Sequence, residues 1–215
     1  MNIKVVTPVY RYVEPETDTS MGNMLNTSKN AVVWRKTIGD SLISRSRNEA
    51  IKEFLSENYE YLMFMDADIV WLADAQYSNN PIDRLASLNL DIVGGIYVVK
   101  GGNYHPSIRT LENQEKYIKE KKWNNEWKYD IKDGVFEVQY MSSGFMMISR
   151  ECAAKVCEKA WHPFAPMAGA NAEYLSEDWA FCHRAKEIGH KVYADSTIKL
   201  GHVGRYIYTV NDSTV

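Results

Sequence analysis

Cysteine is scarce in this sequence: Cys152, Cys157 and Cys182 are the three in 215 residues, an odd number without metal-type spacing. This speaks against a disulfide framework and a thiolate metal site, and it suits reduced thiols filling a core in a cytoplasmic protein. Long apolar runs are missing as well. None approaches the ~20 residues that a membrane-spanning helix needs, and the opening MNIKVVTPVY reads as a strand rather than as a basic, cleavable leader. Positive charge is not in excess. The 25 Lys and Arg stand against 28 Asp and Glu, a formal net charge of −3, which removes the electrostatic case for nucleic acid as the main partner. A small anion bound at a locally basic site stays compatible with that balance. Internal repeats and low-complexity segments are absent too.

What is there fits one globular domain over residues 1–215, with 45% hydrophobic and 25% charged residues. The β-branched run over 3–10, halted at Pro8, predicts a first buried strand leading into a loop. Residues 11–29, mostly polar with Pro15 and Gly22, read as that irregular loop, and 31–38 as a second strand. SLISRSRNEAIKEFLSENY has apolar residues at helical spacing, and YLMFMDADIVW follows as one strand. PIDRLASLNL is a short helix opened by Pro81, and DIVGGIYVV a buried strand interrupted by Gly94 and Gly95. Residues 111–133 lack clear periodicity and read as a charged, mobile insert bearing Trp123 and Trp127. GVFEVQYMSSGFMMIS predicts two strands about a Ser-Ser-Gly turn. Two helices, ECAAKVCEKA and SEDWAFCHRAKEIG, and a final strand in KVYADSTIKLGHVG complete an α/β alternation.

Several groups in these elements are suited to chemistry. In an extended segment Asp66 and Asp68 point to one side, so both carboxylates can face a hard divalent cation that also takes diphosphate oxygens. Solvated turn carboxylates are the competing reading. His202, between two glycines, is either a third metal ligand or an ordinary structural histidine. Ser176 is placed to cap a helix whose first turn holds Glu177 and Asp178. These two either serve the helix dipole or supply a general base for an attacking hydroxyl. Arg45 and Arg47, near a helix start, either contact phosphate or form a solvated basic face. The Ser142-Ser143-Gly144 turn and the Gly94-Gly95 pair admit close backbone approach, to a ligand or simply to neighbouring chain.

The order TPVY, SRSRN, FMDADIVW, GGIY, SSGFMMI, SEDW and GHVG, spread along nearly the whole chain, resembles glycosyltransferases of the GT-A fold, and among them chlorovirus-encoded members. The resemblance implies a Rossmann-like α/β/α sandwich with a central mixed, mostly parallel sheet. Its nucleotide-binding half would span about 1–100 and its acceptor half about 101–215. It implies that Thr7, Pro8 and Tyr10 border the nucleoside, that Arg47 and Asn48 help hold it, and that Asp66-Ala67-Asp68 meets ribose, diphosphate and metal. His202 would complete a Mn2+ or Mg2+ site. Ser143, Gly144, Glu177 and Trp179 would line the sugar and acceptor region, and Asp178 would stand at the catalytic-base position of inverting members. The implied reaction moves a hexosyl or deoxyhexosyl group from a UDP-sugar to a glycan acceptor, in the host cytoplasm for a viral protein. Two other readings remain at this level: a haloacid-dehalogenase-type phosphatase, disfavoured by the missing Thr after Asp-Ala-Asp and its mid-chain place, and a nucleotide-sugar-binding module without turnover. The polar YTVNDSTV tail fits a domain excised from a longer protein. The sequence leaves the sugar, the acceptor and the oligomeric state open.

Overall fold

A computed structural model describes residues 1–72, 79–100, 105–124 and 127–204, with the backbone of 208–209. Most of the YTVNDSTV tail lies outside the described residues. The chain begins with β1 (Asn2–Val9), α1 (Pro15–Thr27), β2 (Ala31–Ile38), α2 (Ile43–Ser56), β3 (Tyr61–Met65), β4 (Ile69–Trp71), α3 (Pro81–Ser87) and β5 (Ile92–Ile96). It continues through β6 (Ile108–Arg109), α4 (Leu111–Glu120), β7 (Val135–Val138), β8 (Tyr140–Met141), β9 (Phe145–Ser149) and α5 (Arg150–Lys159). A short hairpin, β10 (Met167–Ala168) and β11 (Tyr174–Leu175), precedes α6 (Glu177–Glu187), β12 (Val192–His202) and β13 (Tyr208–Thr209).

The main sheet runs β2-β1-β3-β9-β5-β12. The strands β1, β2 and β3 are parallel, β9 is antiparallel to both β3 and β5, and β12 is parallel to β5. Strand alternation sorts the core into two layers. Leu62 and Phe64 of β3 face Ala50, Ile51 and Phe54 of α2 and Phe181 of α6, whereas Met63 and Met65 join Met21 and Met24 of α1 and Leu85 of α3. A sheet covered on both sides explains why β1 and β3 read as continuous apolar runs. Among the described residues no helix is long and apolar enough to cross a membrane.

Two segments expected to be irregular are helical. Residues 11–29 hold α1: Pro15 sits at its first turn, Glu16 and Asp18 favour the positive helix start, and Met21 and Met24 are fully buried. Residues 111–133 hold α4, where Thr110 accepts from Asn113 N at 3.1 Å and Lys121 closes the helix in the left-handed region at φ 57°. The expected single strand through Asp-Ala-Asp is two strands, because Asp66–Asp68 form a turn, with Ile69 N donating to Asp66 O at 3.3 Å. The stretch before Ser-Ser-Gly is likewise broken into β7 and β8 at Gln139, whose N–H leaves for Arg109 O at 2.8 Å.

β12 does two jobs. Val192–Asp195 pair with β5 and β7, then the register shifts between Asp195 and Lys199, and Leu200–His202 pair with β4. Fully buried Asp195 holds the bend: it accepts from Thr197 N and Oγ1 at 3.0 and 2.6 Å, and from Arg84 Nε at 2.9 Å. The bend places His202 opposite Ile69, directly after the Asp-Ala-Asp turn.

Gly94 and Gly95 serve packing against neighbouring chain. A Cβ on Gly94 would lie 2.2 Å from the Phe145 carbonyl oxygen, and one on Gly95 2.6 Å from Leu200 Cδ1. Gly94→Ala is therefore expected to lower unfolding free energy by about 1–3 kcal/mol, since backbone must move. Gly22, inside α1, has nothing within 4 Å of an added Cβ, so Gly22→Ala should raise stability by roughly 0.4–1 kcal/mol. Urea midpoints of the two variants should move in opposite directions; equal midpoints would contradict this account of the packing.

Candidate functional site

The Asp66–Asp68 turn follows the C-terminal end of β3, and its backbone is tied on three sides. Asp66 N donates to Gly144 O at 2.9 Å, Glu14 N to Ala67 O at 2.8 Å, and Val203 N to Asp68 O at 2.7 Å. The segments after β1, β3 and β12 and the turn before β9 thereby converge, as ligand sites do at strand ends in open α/β sheets. Beside the turn lies an open cleft of about 340 Å³ lined by Pro8, Tyr10, Arg11, Tyr12, Glu14, Ile43 and Asp66–Asp68.

The two carboxylates of the turn have different partners. Asp68 Oδ2 accepts from Lys100 Nζ at 2.5 Å and lies 3.4 Å from His202 Nε2. His202 Nδ1 donates to Val98 O at 2.8 Å, which fixes the orientation of the ring and directs Nε2 at Asp68. Burial alone would push the Asp68 carboxyl up, but hydrogen bonds from His202 and Lys100 outweigh it and hold it below the usual carboxylate range. Tyr97 packs edge-on to His202, with ring centroids 5.3 Å apart, and accepts from Gly144 N at 3.2 Å. Burial, with Asp66 and Asp178 nearby, keeps that phenol neutral.

Asp66 turns to Arg47, which α2 carries beneath the site. Only 2% exposed, Arg47 donates from Nη2 to Asp66 Oδ1 at 2.7 Å and from Nη1 to Glu177 Oε1, joining the Asp-Ala-Asp and Ser-Glu-Asp motifs. Burial disfavours a charged guanidinium, yet Asp66, Glu177 and Asp178 more than compensate and it stays charged. Burial and the nearby Asp178 raise the Glu177 carboxyl against the pull of Arg47. Asp178, 8% exposed, accepts from Trp179 N at 2.8 Å and from the Ser176 hydroxyl. Ser176 stands at the N-cap position of α6 without capping through its side chain, which is committed to Asp178.

The other expected site residues are distributed as follows. Pro8 and Tyr10 line the cleft, whereas Thr7 is fully buried and accepts from Trp34 Nε1 at 2.8 Å. Asn48 Oδ1 accepts from Phe164 N at 2.9 Å, clamping α2 to the segment before β10. Ser143 is fully buried with its Oγ unpartnered, and a Cβ on Gly144 would lie 2.4 Å from Tyr97 Oη and 2.9 Å from Asp66 Oδ2. Gly144 is thus the residue that lets the turn, Tyr97 and Asp66 pack together. Trp179 stacks on Tyr140 at 5.3 Å, with the Arg109 guanidinium 4.5 Å from its ring centre. Trp123 packs on Trp127 at 5.0 Å and also covers Arg109, which grips Glu173 at 2.6 and 2.8 Å. Arg45 stays outside the site, paired with Asp40 at 2.7 and 2.8 Å. Lys100 went unselected in the sequence and Tyr97 entered only as the last residue of the GGIY motif, without a role; the signal they share is position, just beyond the end of a buried strand.

As a donor set for a hard divalent cation, Asp68 and His202 fit: one carboxylate oxygen and one imidazole nitrogen with its ring orientation fixed, open toward a cleft. Among the described residues no group of three or more His, Cys, Asp or Glu assembles a metal site. Asp66, engaged by Arg47, stands apart from the other two.

No family model and no curated protein sequence matches the chain. Solved structures do. A197 from STIV superposes with a TM-score of 0.61 at 21% identity, over 100% of this chain and 97% of that one. GalNAc-T7, solved with UDP, GalNAc and Mn2+, gives 0.54 at 10% identity, over 95% of this chain and 44% of that one, so this chain spans less than half of that protein. A glycosyltransferase involved in the glycosylation of the major capsid of PBCV-1 gives 0.36 at 11% identity, over 74% and 66% of the two chains. Identities this low speak to fold alone. The central mixed sheet flanked by helices is the GT-A glycosyltransferase fold.

Removing Arg47 should be costly because two carboxylates lose a buried partner. Arg47→Leu is expected to destabilise the protein by about 3–5 kcal/mol, and Arg47→Leu combined with Glu177→Gln by clearly less than the sum of the single changes. Chemical denaturation of the double-mutant cycle measures this; strict additivity would dissolve the proposed bridge.

Proposed function

We propose that this chain is a metal-assisted glycosyltransferase that takes a hexosyl or deoxyhexosyl group from a UDP-sugar and gives it to a glycan hydroxyl. The observation that carries the reading is the Asp68–His202 pair, its imidazole orientation fixed by Val98 O, at the mouth of a cleft bordered by Pro8, Tyr10 and Ala67. The glycosyltransferase fold, and a structural neighbour solved with UDP, GalNAc and Mn2+, support that direction. The fold weighs against the haloacid-dehalogenase alternative.

In this reading the nucleoside would lie along Pro8 and Tyr10, and Asp68 and His202 would hold a Mn2+ or Mg2+ ion. When bound, the ion supplies positive charge to the diphosphate leaving group. Asp66 meets ribose or metal from one oxygen while Arg47 fixes the other. Asp178 is the general base: it accepts the proton of the acceptor hydroxyl as that oxygen attacks the sugar carbon from the side opposite the leaving diphosphate. Its aim is set by Ser176 and the Trp179 N–H, both bonded to Oδ1. Glu177, through Arg47, couples the base-bearing helix to the Asp-Ala-Asp turn. Ser143, Gly144 and Trp179 border the sugar and acceptor.

Two measurements test the reading. UDP release from a panel of UDP-sugars should require Mn2+ or Mg2+ and stop with chelator; release that ignores chelator sinks the metal role. Asp178→Asn should keep UDP binding while transfer falls by about 10²–10⁴-fold. Unchanged turnover would reject Asp178 as the base, and UDP-sugar binding with neither transfer nor hydrolysis in the wild type would favour a pure binding module.

A further inference from the structure

Asp68 Oδ2 is shared by two groups of different character. Lys100 Nζ lies 2.5 Å from it and His202 Nε2 3.4 Å. The ammonium therefore sits on the oxygen that a divalent cation held by Asp68 and His202 would take. Two cations crowded on one carboxylate oxygen repel each other, so the ammonium and the metal compete for it.

The lysine is built to leave. Its side chain is 35% exposed, whereas the Arg47 side chain on the neighbouring carboxylate is 3% exposed and bonded on two sides. A lysine ammonium is a point charge on a flexible four-carbon stem, so it exchanges partners without the fixed fork geometry of arginine. Its anchor is also well placed. Lys100 follows Val98 by two residues, and Val98 O fixes His202 Nδ1, so stem and imidazole are tied to the same strand end.

We propose that Lys100 occupies the cation seat of Asp68 in the metal-free protein and, once displaced by the metal, binds the diphosphate of the nucleotide donor. The inference rests on the metal and diphosphate reading made above. A diphosphate oxygen sharing the metal with Asp68 lies within the sweep of a side chain that already reaches Asp68. Lys100 thereby links the two binding events: metal entry releases the ammonium, and the ammonium neutralises donor charge. In the empty cleft the ammonium keeps the Asp68 carboxylate paired.

The full chain is tested as wild type, Lys100→Met and Lys100→Arg, with Mn2+ affinity read from the free-ion electron paramagnetic resonance signal and UDP affinity by calorimetry at saturating Mn2+. Lys100→Met should bind Mn2+ about tenfold more tightly without nucleotide, and UDP about tenfold more weakly with Mn2+ present, because one charge-assisted contact is lost in each state. Lys100→Arg should return both constants toward wild type. A change in only one constant, or in neither, overturns the role of Lys100. A wild type that binds UDP but no Mn2+ overturns the metal reading itself, so the two failures are distinct. An unchanged thermal transition in Lys100→Met shows that the variant is folded.

Discussion

The buried guanidinium of Arg47 is the interaction on which the site depends. It lies under the sheet edge with Asp66 on one side and Glu177 on the other, and so ties the turn after β3 to the first turn of α6. A planar fork suits this task, because two carboxylates approach it from separate directions and each receives a charge-assisted bond. Desolvating that charge is costly, and the carboxylates around it are what make burial tolerable. The chemical consequence is relative placement: Asp178, next in sequence to Glu177, is held at a set distance from the Asp-Ala-Asp turn.

A second constraint acts from the opposite side. β12 begins in the main sheet and, after the bend around Asp195, ends alongside β4, which brings His202 to Asp68. The bend itself is polar: a buried carboxylate satisfied by Thr197 and Arg84 stands where ladder hydrogen bonds are interrupted. The Asp-Ala-Asp turn thus lies between two devices, a guanidinium fixing its first carboxylate and a bent strand delivering an imidazole to its third residue.

Legibility of the fold in the sequence followed burial chemistry. In β1, β3 and β5 and in the second half of α2, with Ala50, Ile51 and Phe54, the buried positions are mainly apolar, so periodicity found them. α1 and α4 went unseen because much of what they bury is polar: Thr17 and Ser20 in the first, Asn113 and Gln114 in the second. A hydrophobic pattern has no means of registering a helix of whose buried residues half or more are polar. The same limit hid the turn within YLMFMDADIVW, since its apolar flanks continue a strand pattern that the turn closed by Ile69 N and Asp66 O interrupts.

The sequence by itself determined the α/β class and the chemistry-bearing motifs, because these are written in local residue type and short-range spacing; the mixed, mostly parallel sheet followed from the resemblance that the order of the motifs carries. The turn that ends β3 is what sets the carboxylates at a strand end, where ligands bind in such sheets. Tertiary structure alone decided which groups meet. Arg47 lies 19 residues from Asp66 and 130 from Glu177, and Lys100 lies 32 from Asp68; separations of that size leave no mark in a local pattern. Whether Arg47 was a solvated base or a buried bridge, and whether Asp66 and Asp68 acted as a pair or as two groups with separate partners, was fixed by how the loops at the sheet edge pack against one another. Packing brings charge to charge across the chain, and sequence neighbourhood carries no record of it.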